Sequence, residues 1–300
     1  MAKDPPTERS AGRATAEAAP GRSIEHVVRD VTASGVRMRV LEAGDEGSPA
    51  LVLVHDFLVS RLEFDDIIAP LASRFHVLAP DLPGFGESEK PNAARYAYGI
   101  ETFAEAIADL IAAFGVGRAH VVGHSMGAAV AITLAAEHPE LVQRLVLEDA
   151  LCYPFPMSFR MKLPLVPVIG GIFFKQLWGR ALFRAYFRDE IFRADAAVPL
   201  SRIDRHYELF NGPSARESAH AVLRAVLDAR PVVARLSRIT APTLVVWGRD
   251  DRLFPAQSAQ RLAREISGAR LEIMDAGHSP HEERAEEFVA LATQFLEGKR

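Results

Sequence analysis

From residue 23 onward apolar and polar positions interchange along the chain: Ile24, Val27, Val28 and Val31, then Val36, Met38 and Val40, with the turn residues Ala33-Ser34-Gly35 between the two runs. This pattern predicts an antiparallel hairpin at the start of the fold. Residues 50–54 and 75–79 are instead nearly continuous apolar runs, as expected of strands covered on both faces of a parallel sheet, and 65–72 between them reads as helix. Phe103, Ile107, Leu110, Ile111 and Phe114 fall at helical spacing and stop at Gly115. Further strands are predicted around Val121-Val122, Leu145-Val146-Leu147, 243–247 and 271–274, with helices over 128–138, 255–266 and 281–296. Strand and helix in this rhythm predict an α/β fold with a mostly parallel central sheet, in which function collects at the carboxyl ends of the strands.

The rhythm breaks between Cys152 and Arg235, where prolines, a Gly170-Gly171 pair and many aromatic residues occur with helical periodicity. We read a helical cap inserted after one strand and returning at the next. The predicted organisation is a flexible tail over 1–22, a first core part over 23–150, the cap over 151–235 and a second core part over 236–300. Within the cap, Arg180, Arg184 and Arg188 with Phe183 and Phe187 beside them read as a solvated face over a buried one.

Composition narrows the function classes. A net charge of −4 with no dense Lys/Arg stripe excludes the electrostatic footprint of a nucleic-acid binder. One cysteine, Cys152, permits no intrachain disulfide and fits a reducing, cytoplasmic setting; its thiol is expected to be a buried small apolar group. The first 22 residues hold no apolar run of the signal-peptide or anchor type, and 163–174 is too short and too broken by Pro and Gly to span a bilayer, so no stable membrane insertion is expected.

The chemistry concentrates at Val121-Val122-Gly123-His124-Ser125-Met126-Gly127, an apolar strand running into a Gly-x-Ser-x-Gly turn and on into a helix. A serine on such a strained turn is presented to solvent or substrate, and the following helix directs free N–H groups at whatever it attacks. Its hydroxyl needs a base, and the base needs a carboxylate to set its tautomer. Both follow in the chain: Trp247-Gly248-Arg249-Asp250-Asp251 closes one strand, and Asp275-Ala276-Gly277-His278 follows the next.

On these residues the chain resembles the α/β-hydrolase superfamily, among its members with a helical cap. The resemblance covers nearly all of 23–296 and includes a fourth motif, Asp81-Leu82-Pro83-Gly84-Phe85-Gly86-Glu87-Ser88, a structural Gly/Pro turn. It implies Ser125 as nucleophile, His278 as base and Asp251, four positions after Trp247, as acid. Asp250 and Asp149 are the competing acids, and His281 is expected at the surface. The resemblance also implies an oxyanion hole made by the N–H groups of Phe57 and Met126, with Asp56 and His124 beside the substrate, although His124 in this setting is usually a packing residue. Separately, the aromatic density of 163–187 next to prolines suggests Phe173 and Phe174 at the acyl pocket.

One position departs from the family. After the strand-end His55, where relatives carry glycine, stands Asp56. Its carboxylate either lies beside the oxyanion and restrains ester hydrolysis, with Arg61 as a neighbouring cation, or turns away to cap the loop or pair with a base. The expected function is a serine hydrolase that cleaves esters of an apolar acyl or alcohol group through an acyl-enzyme, with no metal or cofactor. The alternatives are a carbon–carbon bond hydrolase of ring-cleavage products, a hydroxynitrile-lyase-like enzyme, or a non-catalytic ligand receptor.

Overall fold

The computed structural model describes the backbone of Gly12–Ala14 and residues 26–299. Its strands are β1 Gly12–Ala14, β2 His26–Ala33, β3 Val36–Ala43, β4 Ala50–Val54, β5 His76–Pro80, β6 Ala119–His124, β7 Val142–Glu148, β8 Thr243–Gly248 and β9 Arg270–Met274. They form one sheet in the order β1-β2-β3-β5-β4-β6-β7-β8-β9, antiparallel from β1 to β5 and parallel from β5 onward. Ser34 and Gly35, both at positive φ, make the two-residue turn that joins β2 to β3, the geometry whose twist matches a hairpin.

The helices, in chain order, are α1 Asp65–Ala72, α2 Ile100–Ala113, α3 Met126–Glu137, α4 Phe159–Lys162, α5 Ile169–Ile172, α6 Arg180–Tyr186, α7 Leu200–Phe210, α8 Pro213–Ala225, α9 Arg230–Val233, α10 Gln257–Glu265, α11 Pro280–Glu283 and α12 Ala285–Leu296. The all-apolar strands are explained by two separate cores. Leu51 and Leu53 of β4 join Ile67 and Leu71 of α1 and Phe288 and Phe295 of α12, whereas Val52 and Val54 join Phe103, Ile107 and the buried face of α3 on the other side. Alternation of side chains across the sheet is intact, but both faces are covered.

Six helices, α4 to α9, lie between β7 and β8 and form the cap. Its own core gathers Phe174, Trp178, Phe183, Tyr207 and Phe210. The buried guanidinium of Arg216 donates to the carbonyls of Phe174 and Trp178 and to Asn211 Oδ1, so backbone acceptors freed by the broken helices find partners.

Two predicted elements differ. The last helix is not continuous from His281: Arg284, at φ −137° and ψ 49°, separates α11 from α12. Within the predicted flexible tail, Gly12–Ala14 pair as an edge strand with residues 26–28 of β2, and the rest of 1–25, Ile24 included, lies outside the described residues. Among the described residues no helix is long and apolar enough to cross a membrane.

Candidate active site

Ser125 stands between β6 and α3 with φ 53° and ψ −109°, a backbone region that a residue with a Cβ occupies only under strain. The flanking glycines make the turn possible. A Cβ on Gly123 would lie 2.4 Å from the carbonyl oxygen of Gly127, and one on Gly127 would lie 2.0 Å from that of Val54. The Ser125 N–H donates to Glu148 O at 2.8 Å and its carbonyl accepts from Leu151 N–H at 3.1 Å, which pins the turn to the end of β7.

His278 lies in the loop after β9 and Asp251 in the turn after β8. His278 Nδ1 bonds Asp251 Oδ2 at 2.9 Å, while Asp251 Oδ1 accepts from the N–H groups of Leu253 and Phe254 at 2.8 and 2.9 Å. The two turns touch closely, since a Cβ on Gly248 would stand 1.7 Å from Gly277 O. The cap contributes as well: His278 N–H donates to Ile191 O at 2.8 Å. Asp250 is half exposed and pairs with Arg193, so it does not reach His278. Asp149, the other candidate acid, lies behind Asp251 at φ 42° and accepts from Gly248 N–H at 3.0 Å. Burial and the charge of Asp251 push the Asp149 carboxyl well up; burial also pushes Asp251 up, but His278 outweighs this and holds it low. The upward shift favours the protonated form of Asp149, which can donate to the Asp251 carboxylate.

With Nδ1 committed to Asp251, His278 Nε2 faces the site, buried and with no hydrogen-bond partner. The group nearest in charge is Asp56, whose Oδ2 lies 3.9 Å away and whose Oδ1 accepts from Met126 N–H at 3.0 Å. Of the two placements open for Asp56, the buried carboxylate takes the first: it sits on the donor expected for an oxyanion. Arg61 does not neutralise it, because its guanidinium is bound to Asp81 and Glu87. The loop is held in this shape by His55, which donates from Nδ1 to Asp56 O at 2.7 Å and accepts Leu82 N–H at Nε2, and by Leu58 at φ 65°.

Behind the nucleophile lies a cluster that the sequence pattern did not reveal. Glu63 Oε1 accepts from Asp56 N–H at 3.1 Å and its Oε2 faces His124 Nδ1 at 3.4 Å; His124 Nε2 in turn donates to His278 O at 2.7 Å. Burial lowers the affinity of His124 for a proton, but Glu63 more than reverses this, and the imidazolium ties the Asp56 loop to the His278 loop. His124 is thus a clamp behind the cavity wall and not a substrate contact. His281, expected at the surface, is fully buried: Glu148 accepts from both its N–H and its Nδ1, and its ring packs on Phe64, His124 and Phe288.

The His281–Glu148 pair supplies a stability prediction. Burial opposes the charge on each group, yet the partner raises His281 and lowers Glu148. The His281 contribution is full below its unfolded pKa and is lost as pH rises through the folded value; that of Glu148 is full above its unfolded pKa and is lost as pH falls. His281→Leu leaves a buried carboxylate short of its partner and is expected to cost about 3–5 kcal/mol at pH 6, with a smaller loss in strong alkali, as read by urea unfolding. A loss below about 1 kcal/mol at pH 6 would refute the pair.

An apolar cavity opens on Ser125. Its wall includes Phe57, Met126, Leu151, Met161, Phe174, Trp178, Tyr186 and Leu253, and its only carboxylate is that of Asp56. Phe173 is not part of this wall; it packs on Trp178 from outside. Ligand atoms of Asp56, His124 and His278, of Glu63, His124 and His281, and of Asp149, Asp251 and His278 lie within 4.8 Å of one another in each group. The hydrogen bonds already described, His124 to Glu63 and His278 O and His278 to Asp251, occupy several of these atoms.

Comparison with known proteins bears on the family. The chain is 30% identical to the pimeloyl-[acyl-carrier protein] methyl ester esterase of Neisseria meningitidis serogroup C, over 87% of this chain and 99% of that one. It is 29% identical to the 2-hydroxymuconate semialdehyde hydrolase of Pseudomonas putida, covering 93% and 96%. A solved bacterial membrane phospholipase A superposes with a TM-score of 0.77 at 30% identity, covering 91% of this chain and 86% of that one. The family profile of the alpha/beta hydrolase fold matches residues 49–285, and with the nine-stranded sheet and its elbow the chain belongs to the α/β hydrolase family.

Proposed function

We propose that this hydrolase is a serine esterase acting on esters with an apolar acyl or alcohol group. The observation that carries the reading is the strained Ser125 at the head of α3 on the wall of an apolar cavity, with a His278–Asp251 pair behind that wall whose Nε2 points to Asp56, another wall residue. Ser125 attacks the carbonyl, His278 Nε2 takes its proton and returns it to the leaving alcohol, and Asp251 stabilises the imidazolium. The Met126 and Phe57 N–H groups bind the oxyanion once the Asp56 side chain leaves Met126. The names of the meningococcal esterase and of the phospholipase support ester chemistry on an apolar chain. A fluorophosphonate tests the mechanism: one equivalent should label Ser125, as located by peptide mass, and an unlabelled or elsewhere-labelled chain would overturn it.

Carbon–carbon bond cleavage is the second reading, favoured by the identity to the muconate semialdehyde hydrolase. A muconate is a carboxylate, and the cavity wall here offers it no Lys or Arg, only the like charge of Asp56. A ring-cleavage product run beside aryl esters decides between the two.

The cavity wall also predicts chain-length preference. Phe174→Ala removes a ring from the cavity, and turnover of longer acyl esters relative to acetate is expected to change several-fold, whereas Phe173→Ala should leave the ratio within about two-fold while lowering stability. Equal effects of the two would place neither ring at the acyl group.

A further inference from the structure

We propose that the outer face of the cap segment 157–178 docks on an anionic phospholipid bilayer. Six of the ten large apolar side chains exposed among the described residues fall in this one stretch: Phe159, Val166, Val168, Ile169, Ile172 and Leu177. Such clustering is unlike the scattered exposure of ordinary surfaces, and soluble proteins keep apolar patches of this kind where they meet something. Val168 marks the tip. It is 82% exposed at φ 64°, a conformation in which a β-branched residue is strained and glycine or asparagine is not. An apolar side chain is held out into water at a steric cost, next to Ile169 at 64% exposure.

Charge selects the partner. Between Asp149 and Asp189 the chain has six Lys and Arg residues and no Asp or Glu, although the whole protein carries −4. Arg180, Arg184 and Arg188 lie beyond the apolar stretch 157–178 and pair with Asp204 and Asp189, so the cations that matter are the three within it. Arg160 and Lys175 lean on Asp189 and Glu217, and Lys162 has no acidic partner among the described residues. A net-negative protein meets an anionic surface through a segment without acids of its own, and Arg160, Lys162 and Lys175 share this stretch with the apolar tip. The exposed pairs of Arg160 and Lys175 are weak, and Lys162 is unpaired among the described residues, as in amphipathic segments that lie in a bilayer interface. The same segment turns Met161, Pro164, Phe174 and Trp178 toward the cavity over Ser125. Lipid on one side of this thin wall and the nucleophile on the other give an apolar chain a short route between them.

The test is sedimentation of the full chain with vesicles, made on a Ser125→Ala background so that no lipid is consumed and the chemistry of the site does not enter. The chain should sediment with phosphatidylglycerol–phosphatidylcholine vesicles and at least five-fold less with phosphatidylcholine alone. Val168→Ser/Ile169→Ser and Lys162→Glu should each weaken binding about ten-fold at unchanged Tm. Failure of the parent to sediment with anionic vesicles, or unchanged binding by both variants, overturns the proposal. So does a chain that light scattering shows to be a dimer and that becomes a monomer on Val168→Ser/Ile169→Ser without any vesicle binding, since the face would then meet a second copy. Should Val168→Ser/Ile169→Ser alone unfold the protein, Phe159→Ser and Lys162→Glu carry the same test.

Discussion

Ser125→Ala should lower kcat on an aryl ester by on the order of 10⁴-fold or more, His278→Ala should do the same, and the double variant should lose little beyond either single change. Residues that act as one unit show this non-additivity, because removing the base leaves a hydroxyl that is no longer a useful nucleophile. Strand ends position the three groups: Ser125 by the glycine-framed turn, His278 through Ile191 and the contact between Gly248 and Gly277, and Asp251 by two backbone N–H groups. Asp251→Asn is expected to cost about 10⁴-fold, since an amide can hold the wrong tautomer of the histidine. Asp149→Asn should cost less than about ten-fold, because burial and Asp251 favour a protonated, donating Asp149 and an amide NH₂ replaces that donor. Steady-state kinetics on the five variants checks the set. Additive losses for Ser125 and His278, or a larger loss at Asp149 than at Asp251, would dismantle the assignment.

Asp56→Gly is expected to raise kcat/KM on the same ester by about 10- to 100-fold. The carboxylate accepts the Met126 N–H that an oxyanion needs, and one such donor is worth roughly 10²–10³ in kcat. A charge about 4 Å from a developing oxyanion adds a repulsion of about 4 kcal/mol at an effective dielectric of about 20, which solvent entering the cavity reduces. Asp56→Asn should move turnover in the same direction by less, since the side chain stays but the charge goes. Loss of ester turnover in both variants, with an unchanged melting curve, would mean that Asp56 takes part in the chemistry, and the lyase-like reading would then displace the esterase. The position of Asp56 relative to His278 Nε2 gives that outcome a clear physical form: a carboxylate and an imidazole facing each other across the site.

By itself the sequence determined what depends on local pattern and short spacing. The opening hairpin follows from alternation and the Ser34-Gly35 turn, the parallel strands from their unbroken apolar runs, and the elbow from Gly123 and Gly127, where no other residue has room. The order of Ser125, Asp251 and His278, each just past a strand, was likewise readable before any fold, because strand ends share one edge of a parallel sheet. The tertiary structure alone decided what depends on residues distant in the chain. Asp251 rather than Asp149 meets His278 because of how the β8 and β9 turns press together, and the affinity of Asp149 for its proton is raised by burial against Asp251. His281 became a core residue because the end of β7 brings Glu148 to it, and no periodicity foretells that pair 133 residues apart. Glu63 and His124 form their clamp for the same reason. The sequence marked Asp56 as a departure; only the fold placed its carboxylate on Met126, since the direction of a side chain in a loop is set by the donors that the rest of the chain brings to it.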